Sequence, residues 1–159
     1  MKLAKELVVA AIESGHLLAT AESCTGGMIS AGITDIPGSS KVFDRGFVTY
    51  SNAAKRDLLG VRQATIDAHG AVSEHVAREM AEGALARSDA TIAVAVTGIA
   101  GPGGSEHKPE GRVCFGLAAK DALTRSETVD FGALGRAKVR ERAAEHALSL
   151  LLAAAKQAS

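Results

Sequence analysis

The six residues Thr91-Ile92-Ala93-Val94-Ala95-Val96 constrain the fold more than any other stretch of the chain. They carry no charge and are rich in β-branched side chains, the pattern of a strand buried on both faces at the centre of a sheet. Such a strand needs helices packed above and below it, and the flanking sequence supplies them. Leu3, Leu7, Val8 and Ala11 recur at helical spacing, so residues 3–14 are expected as an amphipathic helix ended by Gly15. Residues 17–22 follow as a short buried strand, 26–34 as a helix, Pro37-Gly38-Ser39-Ser40 as a turn, Gly46 to Tyr50 as a strand, and Asn52 to Leu59 as a helix closed by Gly60. Ser73 is placed to cap a helix that runs to about Arg87. Beyond the central strand, Arg112–Ala118 and Arg125–Phe131 are expected to pair as a hairpin through Lys120–Leu123. A last helix spans about Gly135 to Ala155, with Val139, Ala143, Ala147, Leu150 and Leu151 on its apolar face. The alternation predicts one three-layer α/β/α domain over residues 1–159, with a mixed, mostly parallel sheet and a C-terminal hairpin and helix.

Composition narrows the function classes. Lys+Arg and Asp+Glu both number 18, so the formal net charge is +0, which argues against a dedicated nucleic-acid binder. Aromatic residues make up only 3%, too few for a base-stacking platform. Cys24 and Cys114 are too few for a disulfide framework, so a reducing, cytoplasmic setting is expected. No apolar run approaches the ~18 residues of a membrane span, and Glu6 and Glu13 interrupt the apolar stretch that a signal peptide would need. The histidines His16, His69, His75, His107 and His146 lack ligand spacing; all are expected at the surface or in loops, and no metal is expected.

Four constellations could carry chemistry. The first is Ser23-Cys24-Thr25-Gly26-Gly27, where an apolar strand stops and a helix begins. Ser23 there is either a nucleophile with backbone N–H groups gathered around it, or a plain N-cap. Cys24 is a rival nucleophile whose thiol pKa a helix N-terminus would lower, or else a small buried hydrophobe. The second is Tyr50 with Lys55. A lysine can serve a serine as base only when neutral, which requires burial or a neighbouring cation; otherwise Lys55 is a solvated helix lysine. Lys41 competes for the same role.

The third constellation is the loop after the central strand, from Thr97 and Gly98 through Gly101, Gly103 and Gly104 to Lys108. It is neither a P-loop nor a dinucleotide fingerprint. It is a connecting loop, or a set of exposed N–H groups suited to a phosphate or carboxamide. The fourth is the start of the last helix, where Arg136 and Arg140 share a face and oppose the helix dipole unless an anion binds there.

Taken in order, Thr20-Ala21-Glu22-Ser23-Cys24-Thr25-Gly26-Gly27, Gly46-Phe47-Val48-Thr49-Tyr50-Ser51-Asn52 with Lys55, Gly70-Ala71-Val72-Ser73, and Thr97-Gly98-Ile99-Ala100-Gly101-Pro102 resemble the C-terminal domain of CinA, the competence/damage-inducible family. The resemblance runs over nearly the whole chain. It implies hydrolysis of the carboxamide of nicotinamide mononucleotide to nicotinate mononucleotide and ammonia, in pyridine nucleotide recycling, by a serine mechanism without metal or other cofactor. It implies Ser23 as nucleophile, Lys55 as base and Tyr50 as its companion, with Thr97 and the Gly98–Gly101 loop as substrate wall. Arg136 and Arg140 match a motif that often reads Gly-Asp-Arg in the family; here it is Leu134-Gly135-Arg136, without the aspartate.

The combined expectation is that backbone N–H groups of Cys24 to Gly26 hold the oxyanion. Gly101–Gly104 and the arginines hold the phosphate, and those arginines keep Lys55 deprotonated by repulsion. The partner is a small nucleotide, with no nucleic acid and no membrane. The alanines Ala143, Ala147 and Ala154 would allow a second copy to pack closely, so a homo-oligomer is expected. The alternatives are a non-catalytic nucleotide-binding or interaction module tied to competence or DNA damage, and an amidase acting on another amide.

Overall fold

The computed structural model describes residues 2–157. The elements run α1 Lys2–Ser14, β1 Leu18–Glu22, α2 Met28–Thr34, β2 Phe43–Val48, α3 Asn52–Leu59, α4 Gln63–His69, α5 Glu74–Ala86, β3 Ile92–Gly98, β4 Arg112–Ala119, β5 Arg125–Asp130 and α6 Arg136–Lys156. The strands form one sheet in the order β2-β1-β3-β4-β5. β1 pairs in parallel with β2 and β3, while β3–β4 and β4–β5 are antiparallel. The sheet therefore has a parallel half, which ends in loops of interest, and an antiparallel half that closes it.

Strand alternation sorts the core into two layers. Leu18, Ile92, Val94, Val96, Val113 and Phe115 face one side with residues of α1, α2 and α6. Ala19, Ala21, Ala93, Ala95 and Ala118 face the other, with Leu59 at the end of α3, Ile66 of α4, and Val76 and Met80 of α5. The small alanines on that second face let helices come close. At Gly83 of α5 an added Cβ would lie 1.9 Å from the Leu59 carbonyl oxygen, and at Gly116 of β4 one would lie 2.3 Å from the Ala77 carbonyl oxygen.

Several expectations shift. The helix expected from residue 26 begins at Met28, and β2 begins at Phe43 rather than at Gly46. Tyr50 lies two residues beyond its end. Helix α4 was not anticipated. Its Arg62-Gln63-Ala64-Thr65-Ile66 start lacks apolar periodicity, and it is held from outside by Glu79, which accepts from Thr65 Oγ1 at 2.6 Å and from the Arg62 amide at 2.9 Å. Ala143, Ala147 and Ala154 are buried in the chain's own core, where α6 packs on α1 and β3, so they offer no surface to a second copy. His146 is neither in a loop nor fully exposed; it sits in α6 against Phe115 and pairs with Glu127.

Candidate active site

β1 turns from strand to loop at its last residue, and the period of two sends neighbouring side chains to opposite layers. Glu22 points toward α2 and Ser23 toward α3. The Ser23 amide extends the ladder by donating to the Val96 carbonyl at 3.1 Å, so the serine is fixed outside the carboxyl ends of β1 and β3. There the chain runs from β1 outward to β2 on one flank and later to β3 on the other. In open α/β sheets this reversal point is where a crevice forms.

Lys55 reaches the same place from α3. Ser51 caps that helix, its hydroxyl accepting from the Ala54 amide at 3.0 Å. The Lys55 side chain then runs inward, only 2% exposed. Its Nζ lies 3.1 Å from Ser23 Oγ and 3.1 Å from the Tyr50 carbonyl oxygen. Ser23 Oγ itself lies 3.5 Å from that carbonyl. Burial depresses the Lys55 pKa, because it removes water from the ammonium form. The arginine repulsion expected from sequence is not the cause; the nearby charges of Cys24 and Glu106 act in the opposite sense. Lys41 is exposed in a short turn ahead of β2, at the other end of the strands, and is out of reach of Ser23.

Ser23 caps no helix, since α2 starts after Gly27 without a side-chain cap at that position. Glu22 satisfies the α2 start instead. Its carboxylate is fully buried and accepts from Thr25 Oγ1 (2.7 Å) and the amides of Gly27 (3.1 Å), Ile29 (3.0 Å) and Ser30 (3.0 Å), and from Ser30 Oγ (2.9 Å). The Gly26 amide donates to the Ser23 carbonyl at 3.1 Å. Among the described residues, the Cys24 and Thr25 amides enter no backbone or carboxylate hydrogen bond. From the other side Arg140 donates to the Cys24 carbonyl (2.9 Å) and the Thr25 carbonyl (3.4 Å). Burial pushes the Cys24 thiol up to about 11, overriding the lowering expected beside a helix start.

The cleft beside this pair has a volume of about 350 Å³, at the small end of ligand pockets, which run to roughly 300–1,000 Å³. Ser23, Cys24, Tyr50, Lys55, Thr97, Gly98, Gly101, Gly103, Gly104 and Arg136 line it, together with Asn52, Ala71 and Val72, which stand in the family motifs without an assigned role, and Glu106, which lies outside them. Thr25, Gly26, Gly27 and Arg140 stand behind the wall instead. Thr97 Oγ1 donates to the Ala71 carbonyl at 3.0 Å and so ties β3 to the loop ahead of α5. Lys108 is spent on the same loop, through the carbonyls of His69 and Val72, and does not line the cleft. The Gly103 amide is taken by Glu110 at 2.7 Å. Arg136 stands at the exposed rim, bonded to the Gly101 carbonyl (2.6 Å) and the Tyr50 hydroxyl (2.9 Å). The Tyr50 phenol therefore faces the arginine, while its carbonyl holds the lysine. Neither Glu22, which stands in the first family motif, nor Glu110 receives a role from the sequence, because their partners are mostly main-chain amides.

Within this α/β domain, a buried serine and lysine at a sheet reversal point define the centre. Residues 1–155 match the family model of the CinA C-terminal domain, and the chain belongs to that family. A "Nicotinamide-nucleotide amidohydrolase PncC" from Enterobacter agglomerans is 51% identical over 152 residues, covering 95% of this chain and 92% of the relative. A "Putative competence-damage inducible protein" from Symbiobacterium thermophilum is 56% identical over 148 residues, covering 87% of this chain. The chain spans only about a third of that relative, 34% of its length. Among solved structures, the competence/damage inducible protein CihA from Agrobacterium tumefaciens superposes with a TM-score of 0.93 at 47% identity, covering 98% of this chain and 94% of the other. A CinA superfamily protein from Escherichia coli gives 0.90 at 37% identity, covering 94% and 87%. No helix among the described residues is long and apolar enough to cross a membrane.

Proposed function

We propose that the chain hydrolyses the carboxamide of nicotinamide mononucleotide, releasing nicotinate mononucleotide and ammonia. The observation that carries the reading is the 3.1 Å contact between Lys55 Nζ and Ser23 Oγ, made where burial favours the neutral amine. The 51% identity to an amidohydrolase over nearly its whole length supports the substrate class.

Ser23 Oγ attacks the amide carbon while Lys55 Nζ takes its proton. The amide of Cys24, at the cleft wall, takes the oxyanion; one donor of this kind is worth about 3–4 kcal/mol. Lys55 returns the proton to the nitrogen, ammonia leaves, and the amine then activates the water that resolves the acyl-enzyme. Tyr50 acts in two ways: its carbonyl steers Lys55, and its phenol holds Arg136 over the rim. Arg136 then meets the 5′-phosphate with Gly101 and Gly104, whereas Gly103 has its amide bound to Glu110. Arg140, Gly26 and Gly27 shape the loop without touching substrate. Both cysteines are free, which suits the cytoplasm, where the reaction would return nicotinamide nucleotide to the pyridine pool.

Ammonia release from nicotinamide mononucleotide tests the reading. Wild type and Cys24→Ala turn over, and Ser23→Ala does not. Turnover by Ser23→Ala with a dead Cys24→Ala would overthrow the assignment of the nucleophile. No turnover by folded wild type would leave the chain as a binding module.

A further inference from the structure

Glu22 is fully buried, and no ion pair to it is found among the described residues. Burying a carboxylate without a counter-ion is costly unless hydrogen bonds hold it. Here five donors do so, and they divide between its two oxygens. Oε1 takes Thr25 Oγ1 and the Gly27 and Ile29 amides; Oε2 takes the amide and hydroxyl of Ser30. Oε1 therefore grips the loop that follows the serine together with the first turn of α2, and Oε2 grips the helix alone. The loop has no stiffness of its own, since Gly26 and Gly27 adopt φ of 57° and 107°. Arg140 holds the Cys24 and Thr25 carbonyls from the opposite side. A peptide gripped at both ends keeps its N–H groups aimed in a fixed direction.

We propose that Glu22 is a positioning residue for the reaction. Its Oε1 holds Thr25 and Gly27 so that the Cys24 amide, at the cleft wall, stays aimed at the oxyanion. This rests on the amidase reading above. The role is carried through the loop, and Glu22 touches neither substrate nor Ser23 Oγ.

The two oxygens can be tested separately. Thr25→Val removes a bond to Oε1 at nearly constant volume; Ser30→Ala removes one to Oε2. Thr25→Val lowers kcat about tenfold with KM within twofold, and Ser30→Ala leaves kcat within twofold although both lower the melting temperature. Glu22→Gln, which keeps an oxygen for Thr25 and Gly27 but sets an NH2 against the Ser30 amide, retains more kcat than Glu22→Ala. The acid limb of the pH–rate profile stays where it is in wild type for every variant, because the base is unchanged. A folded Thr25→Val with wild-type kcat overturns the proposal, as do equal kcat losses in Thr25→Val and Ser30→Ala. Ser23→Ala run alongside separates the two readings. If it turns over as wild type does, the Ser23 mechanism fails and this proposal with it; if folded wild type releases no ammonia, the amidase reading itself fails. If turnover needs Ser23 but ignores Thr25, only the role of Glu22 falls.

Discussion

Replacing Lys55 by methionine isolates the amine from the stem that carries it. The stem fills the space between Ser23 and α3 at 2% exposure, and methionine fills nearly the same volume. Only Nζ and its two contacts, to Ser23 Oγ and the Tyr50 carbonyl, are lost. Losing the bond to the carbonyl costs about 1 kcal/mol. Against that, the native state no longer has to hold an amine whose charged form burial disfavours. The two changes oppose each other, so the melting temperature should move by no more than about 4 °C, at roughly 2–4 °C per kcal/mol for a chain this size. Catalysis has no such compensation. Without Nζ, the nearest acceptor for the Ser23 proton is the Tyr50 carbonyl at 3.5 Å, which cannot act as a base. A positioned general base contributes roughly 10²- to 10⁴-fold, equal to about 3–5 kcal/mol of barrier. Steady-state ammonia release should therefore show kcat down by about that factor with KM within threefold. A variant that keeps kcat within fivefold, or loses only KM, would refute the reasoning.

Other outcomes follow from the same contacts. In wild type, kcat/KM should rise with pH through one ionisation lying below the ordinary lysine value, because the proposed mechanism needs the neutral amine and burial favours it; the limb should vanish in Lys55→Met. Arg136→Ala should raise KM for the nucleotide at least tenfold while kcat stays within threefold, and the effect should be absent for nicotinamide riboside, which has no phosphate. Gly83→Ala should destabilise the chain by about 2 kcal/mol or more on calorimetry, because the added methyl meets the Leu59 carbonyl oxygen at 1.9 Å, beyond the ~1 kcal/mol gained in helix propensity.

The architecture was largely legible because its signals are local. The uncharged run at Thr91–Val96 marks the sheet centre, and Ser73 marks a helix start with its hydroxyl 3.2 Å from the Val76 amide. What escaped is held by distant partners. The start of β2 contains Asp44 and Arg45, whose charges disguise an edge strand. Helix α4 depends on Glu79, a residue of another helix. In the site, Ser23 and Lys55 are 32 positions apart, and each alone fits an ordinary role; the family resemblance joined them before the geometry did. Glu22 stands in a family motif, but its role could not be read there, because an acid inside a strand is normally turned to solvent and nothing in its neighbours announces five donors.

The high thiol pKa of Cys24 has a consequence beyond the choice of nucleophile. At about 11, only ~10⁻⁴ of the sulfur is thiolate at neutral pH, and oxidants and alkylating agents attack the thiolate. Next to Ser23, the cleft should thus present a sulfur that peroxide and iodoacetamide attack only slowly. Turnover should persist through oxidative stress that disables enzymes relying on an ionised cysteine.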